Sequence, residues 1–319
     1  MFCYQCEETV KGTGCTVKGV CGKDEEIAAY QDVLVYLCKE ISVRNLAAME
    51  KGEGNPDAGL FIADALFATL TNVNFDRDRF MAMIDSAVAI RDALPNTAGT
   101  EPDACTWKPK GEKDILGKAS TVGILSTGNE DVRSLRSTLL FGLKGIAAYY
   151  THAAVLGRTD AVITTFIQEG LASMLKDLPV PEMVALVLEC GRNGVRVLTL
   201  LDEANTSAYG KPQITHVRTG VGTRPGILIT GHDLKDLEML LEQSKDAGVD
   251  VYTHGEMLPA HAYPAFRKYP HLYGNYGSSW WHQKEEFDQF NGPVLFTTNC
   301  LVPPKETYKG RLFTTGLTE

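Results

Sequence analysis

Four cysteines fall within the first twenty-one residues, Cys3, Cys6, Cys15 and Cys21, in the spacing C-x2-C-x8-C-x5-C. A chain terminus normally frays, so four thiols there need a partner that holds the segment in one shape. A thiolate-bound metal does so. A disulfide framework suits short secreted chains, whereas this sequence runs to 319 residues without a basic n-region followed by an apolar h-region. Core cysteines sit on periodic apolar elements, but Gly12, Gly14, Gly19 and Gly22 break this stretch into turns. Structural zinc prefers two short knuckles. Here Cys15 and Cys21 are five residues apart with no histidine nearby, which leaves zinc as the poorer alternative. A tight cysteine loop with interspersed glycines suits a 4Fe-4S cubane, whose sulfides accept backbone N–H bonds and whose negative charge Lys11, Lys18 and Lys23 would offset.

A second set of donors follows three short apolar runs near the C-terminal end. Gly226–Thr230 (GILIT) leads into Gly231-His232-Asp233, Val249–Thr253 (VDVYT) into His254-Gly255-Glu256, and Val294–Thr298 (VLFTT) into Asn299-Cys300. β-Branched content marks the runs as strands. Ligands collect beyond the carboxyl ends of parallel strands, so His232, Glu256 and Cys300 are expected along one edge. Taken singly, His232 reads as a helix cap, Glu256 as a solvated carboxylate and Cys300 as a small buried residue. Together, N, O and S donors suit a transition metal better than Mg or Ca. His254 and His261 also flank Glu256, without the H-E-x-x-H spacing of zinc proteases. Gly220, Gly222 and Gly226 precede the first strand and so form no dinucleotide fingerprint. The Trp280-Trp281 pair and Tyr269, Tyr273 and Tyr276 read as packing.

The elements that must position these residues follow from periodicity. Apolar residues at helical spacing predict helices over 24–49, 56–71 and 76–94, with Cys38 on the buried stripe of the first. A connector rich in Pro, Gly, Thr and Lys, with room for short elements and holding Cys105, covers 95–128. Helices over 129–156, 160–176 and 181–203 repeat the long, short, medium order, and Cys190 and His152 within them are assigned no chemistry. After Gly210 the texture becomes βαβ, with 311–315 as a fourth strand. The expected fold is α + α/β: an N-terminal iron–sulfur segment (1–23), two three-helix bundles in series (24–128 and 129–215), and an incomplete parallel, Rossmann-like α/β domain (216–319).

Forty acidic against thirty-one basic residues give a net charge of −9. With no long basic run, this argues against nucleic acid or an anionic membrane as partner. A hydrophobic content of 44% allows a sizeable core. No apolar stretch approaches the ~20 residues that span a bilayer, and the cytoplasm, where thiols stay reduced, is the expected compartment.

The opening MFCYQCEETVKGTGCTVKGVCGK and the later GHDL, THGEMLPAHAYP and FTTNCLVPP closely resemble the hybrid cluster protein (prismane protein, hydroxylamine reductase) family, over the whole chain. The resemblance implies that Cys3, Cys6, Cys15 and Cys21 hold a proximal 4Fe-4S cluster. It implies that His232, Glu256 and Cys300 are three ligands of a hybrid 4Fe-2O-2S cluster, which would make them the catalytic set. The implied activity, in nitrogen metabolism, is reduction of hydroxylamine to ammonia and water, with nitric oxide to nitrous oxide as a second proposed reaction. The implied partners are a small nitrogen-oxide substrate and an electron-donor redox protein.

The family continues beyond the point matching Glu319, where it supplies three more cysteines, a glutamate and a lysine to the hybrid cluster; this chain has no cysteine after Cys300. The expectation is a fragment, one piece of a split protein completed by a C-terminal segment or second chain, or a truncation that leaves a non-catalytic electron-transfer or structural module.

Overall fold

The computed structural model describes residues 1–6, 12–96 and 106–319; Lys11 and Cys105 lie outside them. The chain divides into two compact units. The first comprises Met1–Leu70, Phe75–Thr151 and Thr159–Leu200, and the second Thr71–Asn74, His152–Arg158 and Leu201–Glu319.

Among the described residues seven α-helices come first: α1 (Glu25–Met49), α2 (Pro56–Ala68), α3 (Arg77–Ala93), α4 (Glu112–Val122), α5 (Glu130–Val155), α6 (Ala161–Ser173) and α7 (Val180–Tyr209). Their starts are written in the sequence. Asp24, Asn55, Asp76 and Asp160 each accept a hydrogen bond from a first-turn amide, and Pro56 takes the first position of α2. Helix α4 lies within the stretch expected as a connector. Its apolar residues are few, and only Ile115 and Ala119 are buried. That leaves little periodicity to detect.

Helix α1 is the axis of the first unit and packs against α2, α3, α4 and α6. Its predicted stripe is fully enclosed, with Val33, Leu34, Leu37, Cys38 and Ile41 at 0% exposure. Polar residues on the same helix are buried too. Asn45 donates to Gln168 Oε1 on α6 at 2.7 Å and to Asn55 O at 3.1 Å, where it fixes the entry to α2. Arg44 Nε donates to Glu40 Oε1 at 3.1 Å, and its Nη1 donates to Arg91 O at 3.1 Å near the end of α3. An i,i+4 ion pair withdrawn from water is tolerated because Arg44 also reaches the backbone oxygens of Arg91 and Leu94.

The second unit holds β1 (Gly226–Thr230), α8 (Leu234–Ser244), β2 (Asp250–Thr253), β3 (Leu272–Asn275), α9 (Gln283–Gln289), β4 (Val294–Phe296), α10 (Glu306–Lys309) and β5 (Leu312–Thr314). The five strands form one sheet in the order β3-β2-β1-β4-β5, and every pair is parallel. The fold is therefore α + α/β. The structure also adds a strand, β3, between the second and third strands expected. Its four residues, LYGN, carry weak β propensity, and a register shift opposite Val251 and Tyr252 interrupts its pairing. Pairing with β2 makes it a strand. One face of the sheet is covered by a core that includes Tyr209, Ile229, Leu237, Leu241, Val251 and Phe266.

Removing one partner of the Arg44–Glu40 pair leaves a charge buried without its counter-ion. Arg44→Met is expected to destabilise the protein by about 3 kcal/mol. The double variant Glu40→Leu/Arg44→Met should recover at least half of that loss in denaturant titration. Equal losses in the single and double variants would show that the pair is not coupled.

Candidate metal centre

The strand order reverses between β1 and β4, because the chain builds outward through β2 and β3 and then returns to the other side of β1. This is the switch point at which open α/β sheets bind ligands. Registers Ile229↔Thr253 and Thr230↔Phe296 bring the ends of β1, β2 and β4 level. The three candidate donors follow two to four residues beyond these ends, and they do converge. Ligand atoms of His232, Glu256 and Cys300 all lie within 4.8 Å of one another. His232 Nε2 and Glu256 Oε2 are hydrogen-bonded, and Cys300 Sγ is 4.0 Å from Glu256 Oε2. Side chains of His232 and Glu256 are 34% and 55% exposed, so small molecules can reach them.

The backbone is shaped for this convergence. Gly231, at φ 105°, turns the chain out of β1, and a Cβ there would collide with Thr297 Oγ1 and lie 2.7 Å from the Thr298 nitrogen. Asn299 and Cys300 both have positive φ, 23° and 65°. Asparagine tolerates this region, whereas a cysteine there stores strain that neighbouring contacts must hold. Gln283 Nε2 donates to Cys300 O at 2.8 Å, and Leu301 exchanges hydrogen bonds with Asn72. Thr298 Oγ1 accepts from the His232 amide at 3.0 Å and lies 3.3 Å from His232 Nδ1, which orients the ring.

Burial lowers the His232 pKa, an effect the Glu256 carboxylate partly offsets, so a neutral imidazole is favoured. Burial pushes the Cys300 thiol up to about 12, and Glu256 adds to the rise. A thiol so disfavoured as an anion becomes a thiolate only when a cation takes the proton's place. Nitrogen, oxygen and sulfur donors at this spacing fit a transition metal.

His254 and His261 do not join this set. His254 is fully buried, with Nε2 2.8 Å from Glu286 Oε2 and Nδ1 3.2 Å from Thr230 Oγ1, while His261 Nε2 lies 2.9 Å from Thr253 Oγ1. Both imidazoles are occupied in holding strand ends. His152, unassigned from sequence, places Nδ1 3.3 Å from Asp233 Oδ2, the carboxylate whose other oxygen caps α8. Nothing in its local sequence signals this pairing.

The N-terminal cysteines lie in a segment tied down by its own backbone. Phe2 N donates to Cys15 O at 2.9 Å and Cys15 N to Cys3 O at 2.6 Å, so an antiparallel bridge holds Cys3 beside Cys15. Positive φ at Gly14 and Gly22 makes the turns, and a Cβ on Gly19 would come 3.2 Å from Cys21 Sγ. Cys3, Cys15 and Cys21 are free thiols. Tyr4 bonds Ser137 at 3.0 Å, and Gln5 bridges Thr69 O and the Lys144 ammonium at 3.1 and 2.7 Å.

Lys23 and Lys144 are 2% and 5% exposed. Their hydrogen bonds run to the neutral oxygens of Gln31, Gln5 and Thr69. Burial lowers the Lys144 pKa and Lys23 lowers it further, against the pull of Asp32 and Cys3. A metal–thiolate group with net negative charge beside Cys3 would hold the buried Lys144 protonated.

A family model described as Prismane/CO dehydrogenase matches residues 1–319. The chain belongs to that family. Curated relatives named hydroxylamine reductase include those of Desulfitobacterium hafniense (strain DSM 10664 / DCB-2), 54% identical over 99% of this chain and 59% of its own length, and Halothermothrix orenii, 53% identical over 99% and 60%. The Nitratidesulfovibrio vulgaris protein is 54% identical over 99% of this chain and 60% of its own length. The chain thus spans about three-fifths of the relatives it matches. Membership of the prismane family implies iron–sulfur cofactors. No described helix is long and apolar enough to cross a membrane.

Cobalt(II) reports thiolate ligation by a charge-transfer absorption. Titrated into the metal-free chain with Cys3, Cys6, Cys15 and Cys21 replaced by serine, it should give that band, Cys300→Ser should abolish it, and His232→Ala should weaken binding by about 10–100-fold. No band in the chain that keeps only Cys300 of these thiols would rule out a metal held by Cys300.

Proposed function

We propose that this chain carries the iron–sulfur part of a hydroxylamine reductase, which converts hydroxylamine to ammonia and water by consuming two electrons and two protons. Reduction of nitric oxide to nitrous oxide is a second reaction open to the same centre. The observation that carries the reading is the convergence of His232, Glu256 and Cys300 at the switch point of the sheet, in a chain that also opens with four cysteines.

In this reading Cys3, Cys6, Cys15 and Cys21 hold a 4Fe-4S cluster, and Lys23 and Lys144 offset its charge. His232, Glu256 and Cys300 hold one side of a hybrid 4Fe-2O-2S cluster. When bound, that group supplies the electrons and open iron positions at which a nitrogen–oxygen bond can break. The protein's own residues orient the donors. Thr298 lies against Nδ1 of the His232 ring, which leaves Nε2 beside Glu256 Oε2 to face the bound group. The partial exposure of both side chains leaves a path for a small polar nitrogen compound. An electron-donor protein is the expected redox partner, and further thiolates from the remainder of the protein, or from a second chain, would complete the hybrid cluster.

Anaerobic reconstitution tests this assignment. The 319-residue chain should take up about four irons and four sulfides at the N-terminal site, and Cys15→Ala should lose them. Its hydroxylamine turnover should fall about 100-fold or more below that of a full-length relative, because three donors leave most of a four-iron cluster without protein ligands. Comparable turnover would falsify the need for further ligands. Zinc without iron after anaerobic preparation would remove the iron–sulfur reading of the N-terminal cysteines.

A further inference from the structure

Asp233, the residue after His232, uses both of its carboxylate oxygens. It is the N-cap of α8, where Oδ1 accepts from the Lys235 and Asp236 amides at 2.8 and 3.0 Å. Capping needs no more than that one oxygen. The other, Oδ2, lies 3.3 Å from Nδ1 of His152, a residue of the last turn of α5 that is 81 positions away in sequence. Both side chains are 12% exposed, so the carboxylate meets an imidazole where a surface cap would meet bulk water.

Backbone bonds fix the same segment from the end of β4. The His232 amide donates to Thr298 Oγ1 at 3.0 Å and the Asp233 amide to Thr297 Oγ1 at 3.2 Å, while Thr297 Oγ1 donates to Thr230 O at 3.2 Å. Both threonines are buried. Burial raises the Asp233 pKa, but the hydrogen bond and charge of His152, followed by the α8 amides, outweigh it and hold the carboxyl below its usual range. An ionised carboxylate only accepts, so His152 Nδ1 is the donor of the pair. His152 also lies near enough to act on His232: burial lowers the His232 pKa, Glu256 raises it, and His152 adds to the fall.

We propose that His152 is a positioning residue for the His232 donor, acting through Asp233; the inference rests on the reading of His232 as a metal ligand. Without the His152 N–H, Oδ2 loses its donor inside the fold. A charge left buried without its partner is costly, so the carboxylate turns toward water and draws the first turn of α8 with it. His232 is one residue away. Its imidazole then leaves the position in which Nε2 meets Glu256 Oε2 and shares a space with Cys300 Sγ. Residues that orient a metal-binding histidine from outside the donor set are worth about 10–100-fold in metal affinity.

Nitrogen NMR of the full, metal-free chain with labelled histidine rings tests the role directly. In the parent, Nδ1 of His152 should carry a proton. His152→Leu should shift the ring signals of His232, and His152→Asn, whose amide N–H falls where Nδ1 stood, should return them toward the parent. Asp76→Ala is the control: it removes the cap of α3, where Asp76 Oδ1 accepts from the Arg79 amide at 2.7 Å, and should lower the unfolding midpoint while leaving the His232 signals in place. That separates positioning from a general loss of stability.

Cobalt affinity reads the consequence. In the chain with Cys3, Cys6, Cys15 and Cys21 replaced by serine, His152→Leu should weaken cobalt(II) binding about 10–100-fold, and His152→Asn by less. If the parent of that series bound no cobalt, the metal-ligand reading would fall, and the NMR comparison alone would decide whether His152 positions His232. His232 signals that stay in place in His152→Leu, no recovery in His152→Asn, or an unprotonated His152 Nδ1 in the parent chain each overturn the proposal.

Discussion

The parallel register of β1 with β2 and β4 is the constraint on which the candidate centre depends. Each strand contributes one donor, a few residues past its last paired position, so the donors meet only if the strands end level. Ile229↔Thr253 and Thr230↔Phe296 achieve that. A one-residue slip in either pair would turn the following segment to the other face of the sheet, and the imidazole, carboxylate and thiol would no longer share a space. The buried faces of β1, β2 and β4 fix the register, through Leu228, Ile229, Val251 and Phe296 in particular.

Past the strands, ordinary secondary structure ends and strained backbone takes over. Gly231 admits a turn that no larger residue fits, and Cys300 sits at positive φ because Gln283 and the Asn72–Leu301 bonds hold its carbonyl and its successor. Non-glycine residues in this region cost of order 1–3 kcal/mol each. A stable core can carry that cost at a site where the side chain has to face a particular direction. His254 shows how closely structural and chemical roles can stand together. Two residues before Glu256, it is buried between Thr230 and Glu286, and it braces the end of β2 without facing the donors.

The first unit rests on a different balance. Helix α1 buries polar and charged groups among its apolar ones, and the outcome depends on what each meets. Glu40 and Arg44 meet each other, and Asn45 meets Gln168. Lys23, Lys39 and Lys144 all act on the Asp32 carboxylate, whose own pKa burial raises.

Much of this was legible in the amino-acid sequence. The cysteine spacing, the aspartate and asparagine helix caps, the apolar stripe of α1 and the β-branched runs of β1 and β2 are local signals, and local signals survive in one dimension. Rossmann-like texture also placed His232, Glu256 and Cys300 after strands, which is why they could be singled out. What tertiary structure decided is everything set by partners distant in sequence. LYGN becomes β3 only by pairing with β2, His152 finds Asp233 across 81 residues, and Asn72 reaches Leu301 across 229.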